Sequence, residues 1–385
     1  MLAKERTNSA PHIPELDGIR GVAIGMVILY HFGQSDRTDL LSSILDFGWS
    51  GVDLFFALSG FLITGILLET KTSLNYFRIF YLRRLLRILP LYTLILLVFF
   101  HAVVPLAHHL HRWLAMPVST EPWYWVYLAN WVIGHHRGIN VLIPYWSLSV
   151  EEQFYALWPF VVLLCSERVL AYISGAVIAA AIVLRCLYSP DPGGILVYVW
   201  TPFRMDALAL GALAAIVFRN RSWLASVDRW LVPIGATAAA AVVGFCVAAG
   251  KTTGDTVLMQ RFGFSLLGVA YSSVVLRCAS RSGSGGALCR LMRSKPLRRM
   301  GTVSYGWYLL HYIFYVALEL VLEQLEHRFA LPNAVWVLLT IAIGGTLSYL
   351  AAEASWRLLE QRVLALKRNW PYRYPQPAVV DASVG

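Results

Sequence analysis

Long apolar stretches follow one another along this chain, each close to the length that crosses a lipid bilayer. About twenty consecutive apolar residues span the hydrocarbon core as a helix, because an α-helix rises about 1.5 Å per residue. We therefore predict an all-α fold, a polytopic membrane bundle of about ten transmembrane helices. The predicted spans are 16–33, 49–69, 88–107, 148–165, 169–187, 200–218, 231–249, 262–279, 302–322 and 334–358.

The composition supports the same class of protein. The chain has 385 residues, of which 58% are hydrophobic and 14% are charged, and this is too apolar for a soluble globular protein. The first apolar stretch follows Lys4 and Arg6, as a signal peptide would. However, no small-residue cleavage site follows it, and the stretch itself contains ionisable residues. We expect it to be a retained first span.

The distribution of the +10 net charge predicts the orientation. Lysine and arginine concentrate in the cytoplasmic loops of multi-pass membrane proteins. If the N-terminus is cytoplasmic, nearly all basic residues fall on its side, including the clusters at 83–87 and 290–299 and the tail after 357. We therefore predict a multi-pass protein of the inner (plasma) membrane with both termini in the cytoplasm.

The first predicted span contains Arg20 and His31, eleven residues apart. On a helix this spacing is three turns plus about 20°, so both side chains lie on one face, roughly 16 Å apart. Ionisable groups within a membrane span are costly and mark functional sites. His31 is the candidate for proton transfer, because imidazole titrates near neutrality. The alternative is a histidine that bonds to a neighbouring helix. Asp17 precedes Arg20 by one turn and is placed to form an ion pair with it.

Three arginines lie near the start of the third predicted span. Arg83, Arg84 and Arg87 lie largely on one side of a helix that enters the membrane from the cytoplasm. Their guanidinium groups would suit a phosphorylated ligand. The alternative is a basic cluster that binds anionic lipid headgroups or sets the topology.

Two carboxylates begin the fourth predicted span. Ser149 and Glu152 have the spacing of a capping box, which gives Glu152 a structural role. Glu151 has no such role and is the better partner for a histidine, an arginine or a substrate hydroxyl.

Further polar residues lie in other spans. Asp53 is a buried charge that needs a cation, while Ser59 and Gly60 favour close helix packing. Arg204 and Asp206 place opposite charges near the outer end of another span, either as a structural ion pair or as part of a site.

The loop 108–147 is rich in histidine and tryptophan, which raises the question of a metal site. His108 and His111 have helical spacing, but no carboxylate or cysteine stands close enough in sequence to complete a tetrahedral set. We therefore expect no metal. The tryptophans are typical of interfacial anchors. The sequence has no P-loop, no GxSxG and no HExxH, which sets aside the enzyme classes that these motifs mark.

Taken together, six motifs in order give the chain a resemblance to the acyltransferase-3 family of integral membrane acyltransferases, over roughly residues 14–362. The motifs are LDGIRG with its R-x10-H, FFALSGFLIT, FYLRRLLRILP, YWSLSVEEQFYALWP, FRMDALALGAL and VSYGWYLLH. The resemblance implies that His31 is the catalytic histidine and Arg20 its essential partner. It further implies that Arg84 and Arg87 form the R-x-x-R pair and that Glu151 is the acid of its motif.

The resemblance also implies the reaction. The expected donor is acyl-CoA, most simply acetyl-CoA, whose phosphates Arg20, Arg83, Arg84 and Arg87 would bind at the cytoplasmic face. His31 would deprotonate an acceptor hydroxyl or accept the acyl group itself. The expected acceptor is a surface or secreted carbohydrate or a glycolipid. Alternatives are an acyltransferase of a small natural product such as a macrolide, and a transporter or flippase of glycan intermediates. No internal repeat of the transporter type is visible.

Some features depart from the family pattern. Tyr312 and Gln361 stand where the family often has proline after His311 and after Glu360. Many relatives also carry a soluble esterase-like domain, for which these 385 residues show no counterpart. We expect residues 1–365 to form the acyltransferase domain and 366–385 a disordered cytoplasmic tail. The expected partners are acyl-CoA, the acceptor and the lipid bilayer, without nucleic acid.

Overall fold

The chain folds into a bundle of long helices. The computed structural model describes residues 12–34, 40–106, 118–135, 141–190, 195–283, 286–326 and 332–375. Within these ranges there is no β-strand, and ten α-helices have 17 residues or more. They are α1 (Pro14–Phe32), α2 (Gly51–Thr70), α3 (Tyr76–Val98), α4 (Tyr145–Leu164), α5 (Glu167–Tyr188), α6 (Thr201–Arg219), α7 (Leu231–Ala249), α8 (Phe264–Ser280), α9 (Lys295–Glu326) and α10 (Asn333–Ser355).

Helix length and composition support a membrane protein. Within the described ranges, eight helical segments are long and apolar enough to cross a bilayer. They contain α2, α3, α5–α8 and α10, and α9 as far as Leu322. The helices α1 and α4 have 19 and 20 residues but do not meet the same criterion. Both carry charges, among them Arg20 in α1 and Glu151 in α4. The all-α multi-pass fold is confirmed, whereas the predicted count of about ten spans is not.

Helix α4 begins earlier than its sequence pattern predicts. It starts at Tyr145, so Ser149 lies inside the helix and is not its N-cap. The Ser149 hydroxyl donates to the carbonyl oxygen of Tyr145, 3.1 Å away and one turn earlier. A serine within a helix commonly makes this bond, because the carbonyl four residues back is within reach. The predicted capping box of Ser149 and Glu152 is therefore wrong.

Close helix crossings fix the centre of the bundle. Helix α6 packs against α2, α5 and α8, and α1 packs against α9 and α2. At the α2–α6 crossing, a Cβ atom added to Gly60 would lie 2.0 Å from the carbonyl oxygen of Leu208. Gly211 faces the carbonyl oxygen of Ala57 equally closely. The predicted packing role of Gly60 is confirmed, because small residues allow helix backbones to approach each other.

We expect Gly60→Val to destabilise the protein by about 1–3 kcal/mol or more, because the side chain would force the α2 and α6 backbones apart. Thermal unfolding of the purified protein in detergent measures this effect. Gly65→Val is the matched control on the same helix, since a Cβ at Gly65 meets no atom within 4 Å. Equal melting temperatures for the two variants would contradict the close crossing.

Two buried ion pairs join neighbouring helices. Arg204 on α6 donates to Asp53 on α2 at 2.7 Å, and Arg185 on α5 donates to Asp206 on α6 at 2.8 Å. All four side chains are buried. Arg204 and Asp206 therefore bond to different helices and not to each other. Removing one member of such a pair leaves an uncompensated buried charge, so these residues stabilise the bundle.

The chain after α10 continues as short helical turns to Asn369 and then packs beside α3. The backbone N–H of Leu74, just before α3, donates to the carbonyl oxygen of Arg373 at 2.8 Å. Residues 366–375, which belong to the tail predicted to be disordered, thus have a defined position beside α3. Residues 376–385 lie outside the described residues.

In the described part of the loop 108–147, residues 118–135 include the short helices Glu121–Trp125 and Ala129–His135. Trp131 stacks on Trp200, with ring centroids 4.7 Å apart. The histidines considered for a metal site, His108 and His111, lie outside the described residues.

Candidate active site

A cavity of about 640 Å³ lies between α1, α2, α3, α4, α6 and α9. Its lining extends from Asp17 and Arg20, in the first turns of α1, to Val52 at the start of α2. The neighbouring Gly51 packs against Val27, two turns further along α1. The cavity therefore follows α1 for much of its length. Its volume falls within the roughly 300–1,000 Å³ that is typical of small-molecule sites.

Three arginines meet at this cavity. Arg20, Arg84 and Arg87 all line it, although they come from α1 and α3. Arg20 donates to Asp17 at 3.3 Å, so the predicted ion pair is confirmed. Arg84 lies over the ring of Tyr155, 5.8 Å from its centroid. Among the described residues, neither Arg84 nor Arg87 has a hydrogen bond or an ion pair, which leaves both guanidinium groups available to an anion.

Glu151 also lines the cavity and is held by two hydroxyl groups. Ser59 donates to Oε1 of Glu151 at 2.7 Å, and Tyr155 donates to Oε2 at 3.2 Å. Ser59 comes from α2, so the serine predicted for packing also orients a carboxylate. Both carboxylate oxygens are thus fixed at the cavity wall.

Arg83 does not line the cavity. Its Nη2 donates to the carbonyl oxygen of Trp370 at 3.0 Å, and its guanidinium lies 4.8 Å from the ring centroid of Tyr372. On a helix, consecutive residues point about 100° apart, so Arg83 and Arg84 face different neighbours. Arg83 therefore faces the chain after α10, whereas Arg84 and Arg87 face the cavity.

The supporting residues other than Asp17 do not line the cavity. Glu152 follows Glu151 on α4 and turns away, and its Oε1 is buried without a hydrogen-bond partner in the described part of the chain. Asp53, Arg204 and Asp206 belong to the two interhelical ion pairs. We therefore assign these last three residues to the architecture of the bundle.

His31 lies beyond the cavity, at the last turn of α1, and contacts a second histidine. Nδ1 of His31 is 3.2 Å from Nε2 of His311 on α9, and also 3.0 Å from the carbonyl oxygen of Val27. Nδ1 of His311 is 2.6 Å from the carbonyl oxygen of Tyr308. His311 is fully buried, while His31 is partly exposed.

These contacts define one neutral arrangement of protons. A carbonyl oxygen only accepts, so Nδ1 of each histidine must carry its hydrogen. Nε2 of His311 is then unprotonated and provides a second acceptor for the Nδ1 hydrogen of His31. Nε2 of His31 is left with a free lone pair, the form needed for a base or a nucleophile.

Tyr308 connects the cavity to the histidine pair. Its side chain lines the cavity, and its hydroxyl lies 2.6 Å from Oγ of Ser147. Its ring centroid is 5.5 Å from that of His311, which in turn lies 4.9 Å from that of His31. The order of contacts is therefore cavity, Tyr308, His311 and His31.

Sequence reasoning assigned no role to His311 or Tyr308, although both stand in the VSYGWYLLH motif. A signal was present, because His311 is an ionisable residue within an apolar span just as His31 is. Periodicity within one helix does not reveal that α1 and α9 are neighbours.

The fold and the cavity define a multi-pass membrane protein with an internal binding site that carries several positive charges. The chain belongs to the acyltransferase-3 family, since the family model described as "Acyltransferase domain" matches residues 13–353. That match includes all the long helices except the end of α10.

The chain is similar to curated proteins of Listeria monocytogenes, Bacillus subtilis and Staphylococcus aureus. The peptidoglycan O-acetyltransferase OatA of Listeria monocytogenes is 29% identical over 91% of this chain and 56% of its own length. YrhL of Bacillus subtilis, provisionally named a peptidoglycan O-acetyltransferase, is 31% identical over 80% of this chain and 49% of its own length. The O-acetyltransferase OatA of Staphylococcus aureus is 25% identical, over 92% and 58%. The chain thus spans about half the length of these relatives. No solved structure matches it.

Proposed function

We propose that this protein is a membrane-bound O-acetyltransferase. It moves an acetyl group from cytoplasmic acetyl-CoA to a hydroxyl group of a surface or secreted carbohydrate or of a glycolipid. The observation that carries the proposal is that Arg20, Arg84 and Arg87 meet at one internal cavity, where Arg84 and Arg87 form no hydrogen bond or ion pair with a described residue.

The arginines bind the phosphates of the donor. Guanidinium groups form short, charge-assisted bonds with phosphate oxygens, often in pairs. The donor is cytoplasmic, and the basic clusters at 83–87 and 290–299 support a cytoplasmic location for this end of the cavity. The protein is then a multi-pass protein of the plasma membrane with both termini in the cytoplasm.

The pantetheine arm of the donor extends from the arginines along the cavity towards His31. Eleven residues of α1 separate Arg20 from His31, which corresponds to a rise of about 16 Å. Glu151 lies along the cavity and accepts a hydrogen bond from a polar group of the donor arm. Tyr308 closes the cavity next to the histidine pair, so its side chain must turn aside for the thioester to reach His31.

His31 acts through Nε2, which follows from the neutral proton arrangement. In one route, Nε2 removes the proton of the acceptor hydroxyl, the hydroxyl oxygen attacks the thioester carbonyl, and the thiol of CoA leaves. In the other, Nε2 attacks the thioester carbonyl and the thiolate of CoA leaves. The acceptor hydroxyl oxygen then attacks the acetyl-imidazole, Nε2 leaves, and the hydroxyl proton passes to the thiolate. Both routes end with an acetyl ester and free CoA.

The relatives guide the choice of acceptor. Two of them are named for peptidoglycan, a carbohydrate polymer outside the cell membrane. A carbohydrate hydroxyl that approaches His31 from the outer side fits a donor that enters from the cytoplasm. We propose the class of acceptor, a carbohydrate, and not a particular sugar.

Acetyl transfer by the purified protein tests this function. The protein in liposomes receives labelled acetyl-CoA, and the release of CoA is measured with and without a muropeptide or oligosaccharide acceptor. CoA release that depends on the protein and rises with the acceptor supports the proposal. If the protein neither binds nor consumes acetyl-CoA, but moves a labelled glycan lipid across the membrane, it is a flippase.

We expect His311→Ala to lower kcat by about 10- to 100-fold with little change in KM for acetyl-CoA. The variant removes the second acceptor of the Nδ1 hydrogen of His31, so the Val27 carbonyl oxygen alone holds the imidazole and its orientation is less well fixed. His311 touches neither the donor arginines nor Glu151 in the structure, which is why donor binding is preserved. Steady-state kinetics in liposomes measure both constants.

His311→Gln is the matched variant. Its amide oxygen can take the place of Nε2 as an acceptor, so we expect it to recover most of the lost kcat. Equal losses in both variants, together with a lower melting temperature, would indicate that His311 serves packing alone.

A further inference from the structure

The segment that follows α10 is held against the start of α3 by hydrogen bonds in both directions. Nδ2 of Asn75 donates to the carbonyl oxygen of Pro371 at 3.1 Å, and the N–H of Arg373 donates to Oδ1 of Asn75 at 3.0 Å. The N–H of Leu74 donates to the carbonyl oxygen of Arg373. We call residues 366–375 the C-terminal strap. Its backbone position is thereby fixed relative to the arginines of α3.

Two arginines of α3 hold the strap and do not face the cavity. Arg83 binds the carbonyl oxygen of Trp370 and lies over the ring of Tyr372. Arg78 lies over the ring of Trp370, 5.4 Å from its centroid. A guanidinium packed on an aromatic face gains cation–π stabilisation. These contacts fix the part of the chain that directly follows Lys367.

The ammonium group of Lys367 places a further positive charge near the arginines of the cavity. It lies in the turn Leu366–Asn369, which packs against α3, and its side chain is partly buried. Its charge is within electrostatic range of Arg87, Arg84 and Arg20. Among the described residues, the ammonium group has no hydrogen bond or ion pair.

Arg87, Arg84 and Arg20 repel the ammonium group of Lys367. Like charges at short range destabilise each other, most strongly when they are partly buried. Asp17 forms an ion pair with Arg20. Glu151 and Glu360 lie within electrostatic range of Arg87, and Glu152 lies within range of Arg84. Among the described residues, however, no carboxylate forms an ion pair with Arg84, Arg87 or Lys367. A ligand with several negative charges would satisfy all of these cations together.

We propose that Lys367 is a phosphate-binding residue of the acyl-CoA site and that the C-terminal strap, held by Arg83, carries it there. The inference rests on the proposed function, since it assigns a further ligand to the same donor. It also extends the donor site beyond residue 353, where the match to the family model ends.

Titration of the purified full-length protein with CoA by calorimetry tests the proposal. We expect Lys367→Ala to raise the Kd for CoA about tenfold, which is the effect of losing one charge-assisted phosphate contact. Lys367→Arg should remain within about threefold of the wild type, because it keeps the charge. Arg368→Ala is the matched control, since the neighbouring Arg368 is exposed and should bind CoA like the wild type.

The variant Arg83→Gln tests whether the C-terminal strap positions Lys367. The variant loosens the strap without removing a donor contact, so it should weaken CoA binding by itself. It should add little to Lys367→Ala in the double variant, because the two changes remove one interaction. The melting temperature of each variant in detergent shows that the bundle remains folded.

Two results overturn the inference, and they differ from each other. If the wild type binds CoA and Lys367→Ala binds it equally well, the donor site exists but does not include Lys367. If the wild type binds no CoA, the proposed function fails and the inference fails with it.

Discussion

Replacing His31 with alanine should abolish acetyl transfer and leave the binding of acetyl-CoA nearly unchanged. Positioned acid–base catalysis contributes about 10²- to 10⁴-fold to a rate, and a loss of this size is the expected effect on kcat. Arg20 lies about three helical turns from His31 on α1, and Arg84 and Arg87 lie on α3. The Kd for acetyl-CoA should therefore change by less than about twofold.

The measurement is CoA release and acetyl transfer in liposomes, with the Kd determined by calorimetry on the same preparation. His31→Gln should be as inactive as His31→Ala, because an amide is not basic. His101→Ala is the control, since His101 is an exposed histidine away from the cavity lining. Transfer that survives in His31→Ala at the wild-type rate would exclude His31 from the chemistry.

The same variant distinguishes the two chemical routes. Wild-type protein is mixed with labelled acetyl-CoA in the absence of an acceptor and is then denatured. The protein retains the label if an acetyl-imidazole forms. The label is absent in His31→Ala under that route. Wild-type protein that transfers acetyl groups efficiently but retains no label supports direct attack by the acceptor.

Replacing Arg87 with alanine should raise KM for acetyl-CoA by about 10- to 100-fold, which is the loss of one or two charge-assisted bonds to phosphate. Arg84→Ala should have an effect of the same order. Both guanidinium groups line the cavity, and neither forms a hydrogen bond or an ion pair with a described residue. Lysine at either position should recover only part of the affinity, because an ammonium group lacks the planar fork of arginine.

The kinetic constants of these variants are compared with those of Arg290→Ala. Arg290 is exposed in the short helix Ala287–Met292 and should have no effect on KM. Raising the ionic strength should weaken donor binding to the wild type more than to Arg87→Ala, because salt screens charge pairs. Unchanged KM in both Arg84→Ala and Arg87→Ala would remove the arginine site from the proposal.

Much of the fold is evident from the sequence. The long apolar stretches predict helices, because the bilayer requires each backbone polar group to bond within its own segment. The spacing of Asp17 and Arg20 likewise predicts their ion pair, since residues three apart on a helix are neighbours. Errors arise at helix starts. Helix α4 begins at Tyr145, and this places Ser149 in the helix interior.

The ion pairs illustrate the limit of local reasoning. The sequence indicates that Asp53 requires a cation. It does not indicate that this cation is Arg204, 151 residues away. Arg204 and Asp206 are neighbours in sequence, yet each bonds to a different helix. Partner choice depends on which helices touch.

The sequence by itself determined the membrane class, the helical fold, the Arg20–His31 spacing and the motifs of the family. All of these depend on local hydrophobic periodicity and on the order of residues along the chain. Only the tertiary structure brought His311 to His31, directed Arg83 to the C-terminal strap and placed Lys367 beside the cavity arginines. The physical reason is that these contacts join residues at least 280 positions apart, and such contacts depend on how the helices pack against one another.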